Sequence, residues 1–272
     1  MWSLGLSVHN EDHMGHAVVN RARASLLLAV GLIAAVGGAL AEDALFTAAE
    51  AGAAEDVRSL LVAGADANAR DEEGATVLMR AVLGNVDPGV VRVLLVAGAD
   101  ANARDDRGLT ALMRAAAADA DPAMIRALLA GGADVNAVDE RGRTALMRAA
   151  WASEDAGVVR ALLVGGADVN ARDDVGRTAL MRAAWASDDP AVVRALLAAG
   201  AEVDARDAEG LTALMRAAAS NPNPEIVRDL LTAGADATLQ DGSGRRAVDI
   251  AADNAALLLS DVWRILAEAS SE

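Results

Sequence analysis

From residue 64 onward the tripeptide Gly-Ala-Asp, once Gly-Ala-Glu, returns at Gly64, Gly98, Gly132, Gly166, Gly200 and Gly234, a constant step of 34 residues. A fixed period of this length means that one supersecondary unit is copied in series. Such units cannot bury their apolar faces alone, so the chain must stack into a solenoid in which each copy is stabilised by its neighbours. Between these points the text is nearly fixed, and the stretch from Gly166 to Gly200 shows the whole unit.

Within that unit Thr178 is suited to cap a short helix over residues 179–186, with Leu180, Ala183 and Ala184 on one face. Asp189 then caps a second helix whose first position is Pro190, where a missing N–H costs nothing, and Val193, Leu196 and Leu197 supply its apolar stripe. Gly200 ends this helix because it takes the left-handed cap without strain. The stretch from Ala201 to Gly210 is rich in Asp and Gly and is expected as an extended turn reaching the next copy. The caps recur in register as Asp87-Pro88, Asp121-Pro122, Asp189-Pro190 and Asn223-Pro224, while Asp155 is followed by Ala156.

These residues resemble the ankyrin repeat. The family's Gly, Thr-Pro-Leu-His, Ala-Ala, Val-Val, Leu-Leu, Gly-Ala-Asp and Asn-Ala signals fall on Gly176, Thr178-Ala179-Leu180-Met181, Ala183-Ala184, Val192-Val193, Leu196-Leu197, Gly200-Ala201-Glu202 and, one copy earlier, Asn170-Ala171. The resemblance runs from Asp43 to about Glu268 and implies an all-α ankyrin-repeat solenoid of helix-turn-helix units joined by extended turns, closed by terminal capping repeats. It divides the chain into a capping repeat at 42–70, five full repeats over 71–240 opening at Asp71, Asp105, Asp139, Asp173 and Asp207, and a capping repeat at 241–272. In the last, a second helix over residues 255–269 is expected to end the stack. Two departures stand out. The unit is one residue longer than the family's usual repeat, in the turn between its helices, and Met79, Met113, Met147, Met181 and Met215 stand where the family prefers His.

Ahead of the repeats, Arg21 and Arg23 precede an apolar run from Ala24 to Ala41 that ends in Ala39-Leu40-Ala41 and is followed by Glu42 and Asp43. This pattern is that of a secretory signal peptide over residues 1–41, cleaved after Ala41, with Met14 as the better start because Glu11 and Asp12 do not suit a positive leader. The alternative is an uncleaved inner-membrane anchor, since 18 apolar residues just suffice to cross a bilayer. Either way the repeats lie outside the cytoplasm, periplasmic or secreted in the first case.

Composition removes whole classes of chemistry. Forty acids face 24 basic residues, all of them Arg, for a net charge of -16, so nucleic acid is not an expected partner. There is no Cys or Tyr, and the three His all precede residue 41, so the repeats lack the usual general bases and nucleophiles. The remaining carboxylates recur in every copy as caps and turn residues. The chain is therefore expected to be no enzyme, to need no cofactor or metal, and to act as a monomer that binds a protein partner. A calcium loop at Asp66, Asn68 and Asp71 is disfavoured because Arg70 stands at a ligand position.

Departures from the copied text mark the candidate site. Trp151 and Trp185 follow the Ala-Ala pair where other copies have Leu83, Ala117 and Ala219, and Arg143 and Arg177 replace Ala75, Leu109 and Leu211. The family resemblance puts the Trp position on the concave binding face. Trp and Arg are the residues most enriched at interface hot spots. Arg148 and Arg182 belong to a column with Arg80, Arg114 and Arg216, two residues beyond a buried Leu, so their guanidinium groups are expected to reach solvent. That column serves either as a lattice with Asp105, Asp139 and Asp173 or as a groove for an acidic segment. Each Trp could instead only cover the long turn between its own helices, and the Met column could serve as an oxidant sink or only fill the gap between repeats.

Overall fold

A computed structural model describes residues 38–84, 87–152 and 156–270. The elements are α1 (Gly38–Glu50), α2 (Ala54–Val62), α3 (Val77–Leu83), α4 (Pro88–Val96), α5 (Ala111–Ala117), α6 (Pro122–Ala130), α7 (Ala145–Ala152), α8 (Gly157–Val164), α9 (Ala179–Ala186), α10 (Pro190–Ala198), α11 (Ala213–Ser220), α12 (Pro224–Thr232), α13 (Ala247–Ile250), α14 (Ala255–Leu258) and α15 (Val262–Ala269). No strand occurs among the described residues, only an isolated bridge between Arg70 and Thr76.

The odd-numbered helices from α1 to α13 pack in a row, each on the next, and α2, α4, α6, α8, α10, α12 and α15 form a second row behind them. These helices have only seven to nine residues in most copies, too few to persist alone, so their stability comes from the faces they bury between copies. Leu78, Leu112, Leu146, Leu180 and Leu214 are buried, as are the five Met of the column and the paired Ala that let the helices approach. Buried thioethers leave the gap-filling role, with no solvent-facing sulfur for an oxidant to reach.

The capping chemistry is local and repeats. Thr76, Thr110, Thr144, Thr178 and Thr212 each accept from the backbone N–H of the Met three residues on, at 3.3 Å. Asp87, Asp121, Asp189 and Asn223 accept from the N–H two residues on and precede Pro at the helix start. Asp155 lies outside the described residues, and α8 begins without a side-chain cap. On α10 the buried stripe is Val192, Val193 and Leu196, with Leu197 only half-buried at its margin. In the long turn of the second full repeat, Asp119 has a φ of 49°, the one non-Gly residue with positive φ among the described residues.

The expected helix over residues 255–269 is broken. It forms as α14 and α15, and in the turn between them the Ser260 N–H and hydroxyl both donate to the Leu257 carbonyl, at 2.9 and 2.7 Å. The bend swings Val262 and Leu266 into burial against α12, closing the stack. At the other end, the expected export segment lies outside the described residues except for Gly38–Ala41, which form the first turn of α1 with Ala41 buried. Among the described residues no helix is long and apolar enough to cross a membrane.

Two polar ladders tie successive turns together. Asn68, Asn102, Asn136 and Asn170 each donate to the carbonyl of the Gly 30 residues on, and accept an N–H 32 residues on. Arg70 bridges the Gly74 carbonyl of its own turn and the Arg104 carbonyl of the next, both at 2.7 Å, and Arg104, Arg172 and Arg206 do the same. Val138 interrupts this second ladder and stands 43% exposed. Val138→Arg should restore a bridge from the Gly142 carbonyl to the Arg172 carbonyl and stabilise the fold by about 1 kcal/mol, the typical net worth of a hydrogen bond. Thermal melting checks this; an unchanged or lower Tm would show that the ladder contributes nothing at this step.

Candidate functional site

Each extended turn is a finger built around one carboxylate. Asp139 Oδ1 accepts from the N–H groups of Arg141 and Arg143, both at 2.9 Å, which fixes the tip. Its Oδ2 takes Arg143 Nε at 2.8 Å and the Nη2 of Arg148, nine residues on and one helix away. Asp71, Asp105, Asp173 and Asp207 repeat the arrangement with Arg80, Arg114, Arg182 and Arg216. The Arg column therefore does not reach solvent as its helical position suggested. The side chains of Arg114, Arg148, Arg182 and Arg216 are only 12–14% exposed. A long side chain on a helix points back toward the N-terminus, and here it lies down along that line onto the finger's carboxylate.

Burial alone would raise the Asp139 pKa, but the two backbone N–H donors and Arg148 outweigh it and hold the carboxyl down at about 2. Burial pulls the Arg148 guanidinium below its ordinary value, and the charges of Arg143 and Arg182 add to that pull despite Asp139. Positive charge is in local surplus here.

The six residues singled out from the sequence come together. Trp151, Trp185, Arg143, Arg177, Arg148 and Arg182 all line one open groove of about 620 Å³ between the finger tips and α7 and α9. The two indoles meet edge to face, 4.9 Å between centroids at 82°, so each covers part of the other. Arg177 and Arg216 lie at 6.0 and 5.4 Å from the Trp185 ring, within cation–π range. Trp151 remains 44% exposed, whereas Trp185 is half-buried. Arg143 is held by Asp139, but Arg177, one copy on, has no ion pair among the described residues and its Nε has no hydrogen-bond partner.

The matching family model is that of ankyrin repeats (3 copies), aligned over residues 20–105, 45–137, 85–173, 151–241 and 180–270. The chain belongs to the ankyrin-repeat family. Among solved structures the ankyrin stack is similar to the crystal structure of the ankyrin repeat domain of Bcl-3, described as a unique member of the IkappaB protein family. The two share 30% identity with a TM-score of 0.67, over 81% of this chain and 97% of that one. No curated protein sequence matches the chain.

Sequence reasoning missed Arg141 and Val175 on the groove wall, although the signal was present. At that finger position the first and fifth copies carry Glu73 and Glu209, which pair with Arg80 and Arg216 at 3.2 and 3.3 Å, while the second carries Arg107. No group of His, Cys, Asp or Glu able to hold a metal occurs among the described residues.

The Asp139 carboxyl titrates lower in the folded state than in the unfolded one, so its contribution is complete above about pH 4 and is lost as pH falls toward about 2. A shift of this size corresponds to about 2 kcal/mol. Asp139→Asn should cost about 3 kcal/mol at neutral pH, because Arg148 and Arg143 keep their charge in a half-buried site without a counterion. Chemical denaturation across this pH range checks both, and a variant as stable as the parent at neutral pH would remove the carboxylate from its central place.

Proposed function

We propose that the chain is an exported ankyrin-repeat scaffold that binds a protein partner through its concave face, with Trp151, Trp185, Arg143, Arg177, Arg148 and Arg182 at the centre of the contact. One observation carries this reading: the only two Trp of the full repeats meet on an open groove beside an Arg that has no ion pair among the described residues. A half-exposed indole with a rigid neighbour offers large contact area at little entropic cost, and clusters of this kind dominate interface energetics. Ankyrin repeats as a family mediate protein–protein interaction, and the repeats here hold none of the His, Cys or Lys from which acid–base or nucleophilic chemistry is usually built.

Trp151→Ala is the cleaner test, because Trp185 is also packed by Arg177 and Arg216. Trp151→Ala should cost about 1 kcal/mol of stability, the worth of one aromatic pair, while weakening partner capture per folded molecule by a factor of roughly 30, as expected for a hot-spot residue worth about 2 kcal/mol. Quantitative crosslinking capture from a periplasmic or culture fluid fraction, parent against variant, measures this; equal capture by both would move the contact elsewhere. Export is tested by sequencing the mature N-terminus. Glu42 as first residue supports release after Ala41, and an intact start in the membrane fraction replaces release by a tether.

A further inference from the structure

The charge around the finger carboxylates is not copied evenly along the stack. In the first full finger Asp71, Glu72 and Glu73 face Arg80, and in the fifth Asp207 and Glu209 face Arg216, so both carry an acidic surplus. In the third, Asp139 and Glu140 face Arg141, Arg143 and Arg148, and the balance turns positive. The groove itself is lined by Arg141, Arg143, Arg148, Arg177 and Arg182 against Asp173 and Asp174. Asp173 already holds Arg182, at 2.5 Å, and the basicity of Arg148, lowered first by burial, is lowered further by the charges of Arg143 and Arg182. In a chain of net charge -16 this is a local reversal of sign, and it coincides with the Trp pair.

The groove continues into a second depression lined by Arg107, Leu109, Asp139, Glu140, Arg141, Arg143 and Arg148. The two depressions share Arg141, Arg143 and Arg148, so the cationic surface extends along a track, with Leu109 at one end and the Trp pair at the other. We propose that this track takes an extended acidic peptide segment of the partner, with a carboxylate on Arg177 and an apolar side chain against Trp151. A carboxylate there would supply the counterion that Arg177 lacks and make a charge-assisted hydrogen bond. A long nucleic-acid polyanion fits less well, because it would run off the track onto the acidic fingers at Glu73 and Glu209. The inference deepens the concave-face function proposed above and rests on it.

The test uses the full chain and a dye-labelled peptide of alternating Glu and Phe, followed by fluorescence anisotropy beside its Gln-for-Glu counterpart. The Glu peptide should bind at least about tenfold more tightly, and its affinity should fall as salt rises. Arg177→Gln breaks no ion pair among the described residues and gives up only its contact with the Trp185 ring, so melting should shift by little, yet Glu-peptide affinity should fall about tenfold while Gln-peptide affinity stays as it was. Equal binding of the two peptides, both lost in Trp151→Ala, overturns the acidic preference while the groove remains a binding face. No saturable binding of the Glu peptide also overturns it, and the capture experiment then judges the concave-face function independently. A single-stranded oligonucleotide that displaces the Glu peptide at comparable concentration overturns the peptide in favour of a general polyanion.

Discussion

The fold depends on a buried carboxylate repeated once per copy. An isolated carboxylate transferred from water into a protein interior is costly unless its lone pairs are filled, and each finger fills them from inside the same repeat. Two N–H groups of the finger occupy Oδ1 of Asp71, Asp105, Asp139, Asp173, Asp207 and Asp241. The Arg nine residues on occupies Oδ2 in the first five. In the last copy Ile250 stands at that place, and Arg245, four residues on, closes the pair instead. One side chain thus shapes a polar finger that has no core of its own and pins it to the inner helix row.

Between copies the coupling is of a different kind. Apolar burial of Leu, Met and Ala supplies most of the attraction but no register, since any small slide along a helix row would still bury carbon. The Asn and Arg ladders supply the register, because their acceptors are single carbonyls one copy away. Toward the C-terminus the polar link moves to the other side of the helix pair. Asn221 donates to the Ala184 and Ser187 carbonyls, and Asn254 to those of Ala218 and Asn221, all from buried positions. The bond holds the long turns in step where the Asn ladder has given way to Asp204 and Thr238.

Helix positions, Thr and Asp caps and the buried faces were legible in the sequence because they depend on spacing within one copy. The meeting of Trp151, Trp185, Arg143, Arg177, Arg148 and Arg182 was legible too, since residues at matching places of adjacent copies must be neighbours in a stack. The fate of the Arg column was not. Helical periodicity says which way a Cβ points, but an Arg has enough reach to choose among partners, and the finger carboxylate lies nine residues back, beyond any local rule. The break between α14 and α15 escaped for a similar reason: it goes with the burial of Val262 and Leu266 against a preceding helix, a contact that no local rule announces.

The placement of the candidate site follows from what a copied stack can tolerate. Core and ladder positions serve two neighbours at once, so a change there is felt on both sides. Finger tips and the last turn of the inner helices touch few such contacts, and there the third and fourth repeats depart from their neighbours. The departures are not scattered: Arg for Leu at 143 and 177 and Trp for Ala at 151 and 185 open onto one groove. None of these changes is needed to fold the unit, because the flanking repeats form the same helices and fingers without them. A second Arg beside a carboxylate already occupied adds repulsion, which joins burial in lowering the basicity of Arg148. The arrangement is intelligible as a surface whose missing counterion is brought by something else.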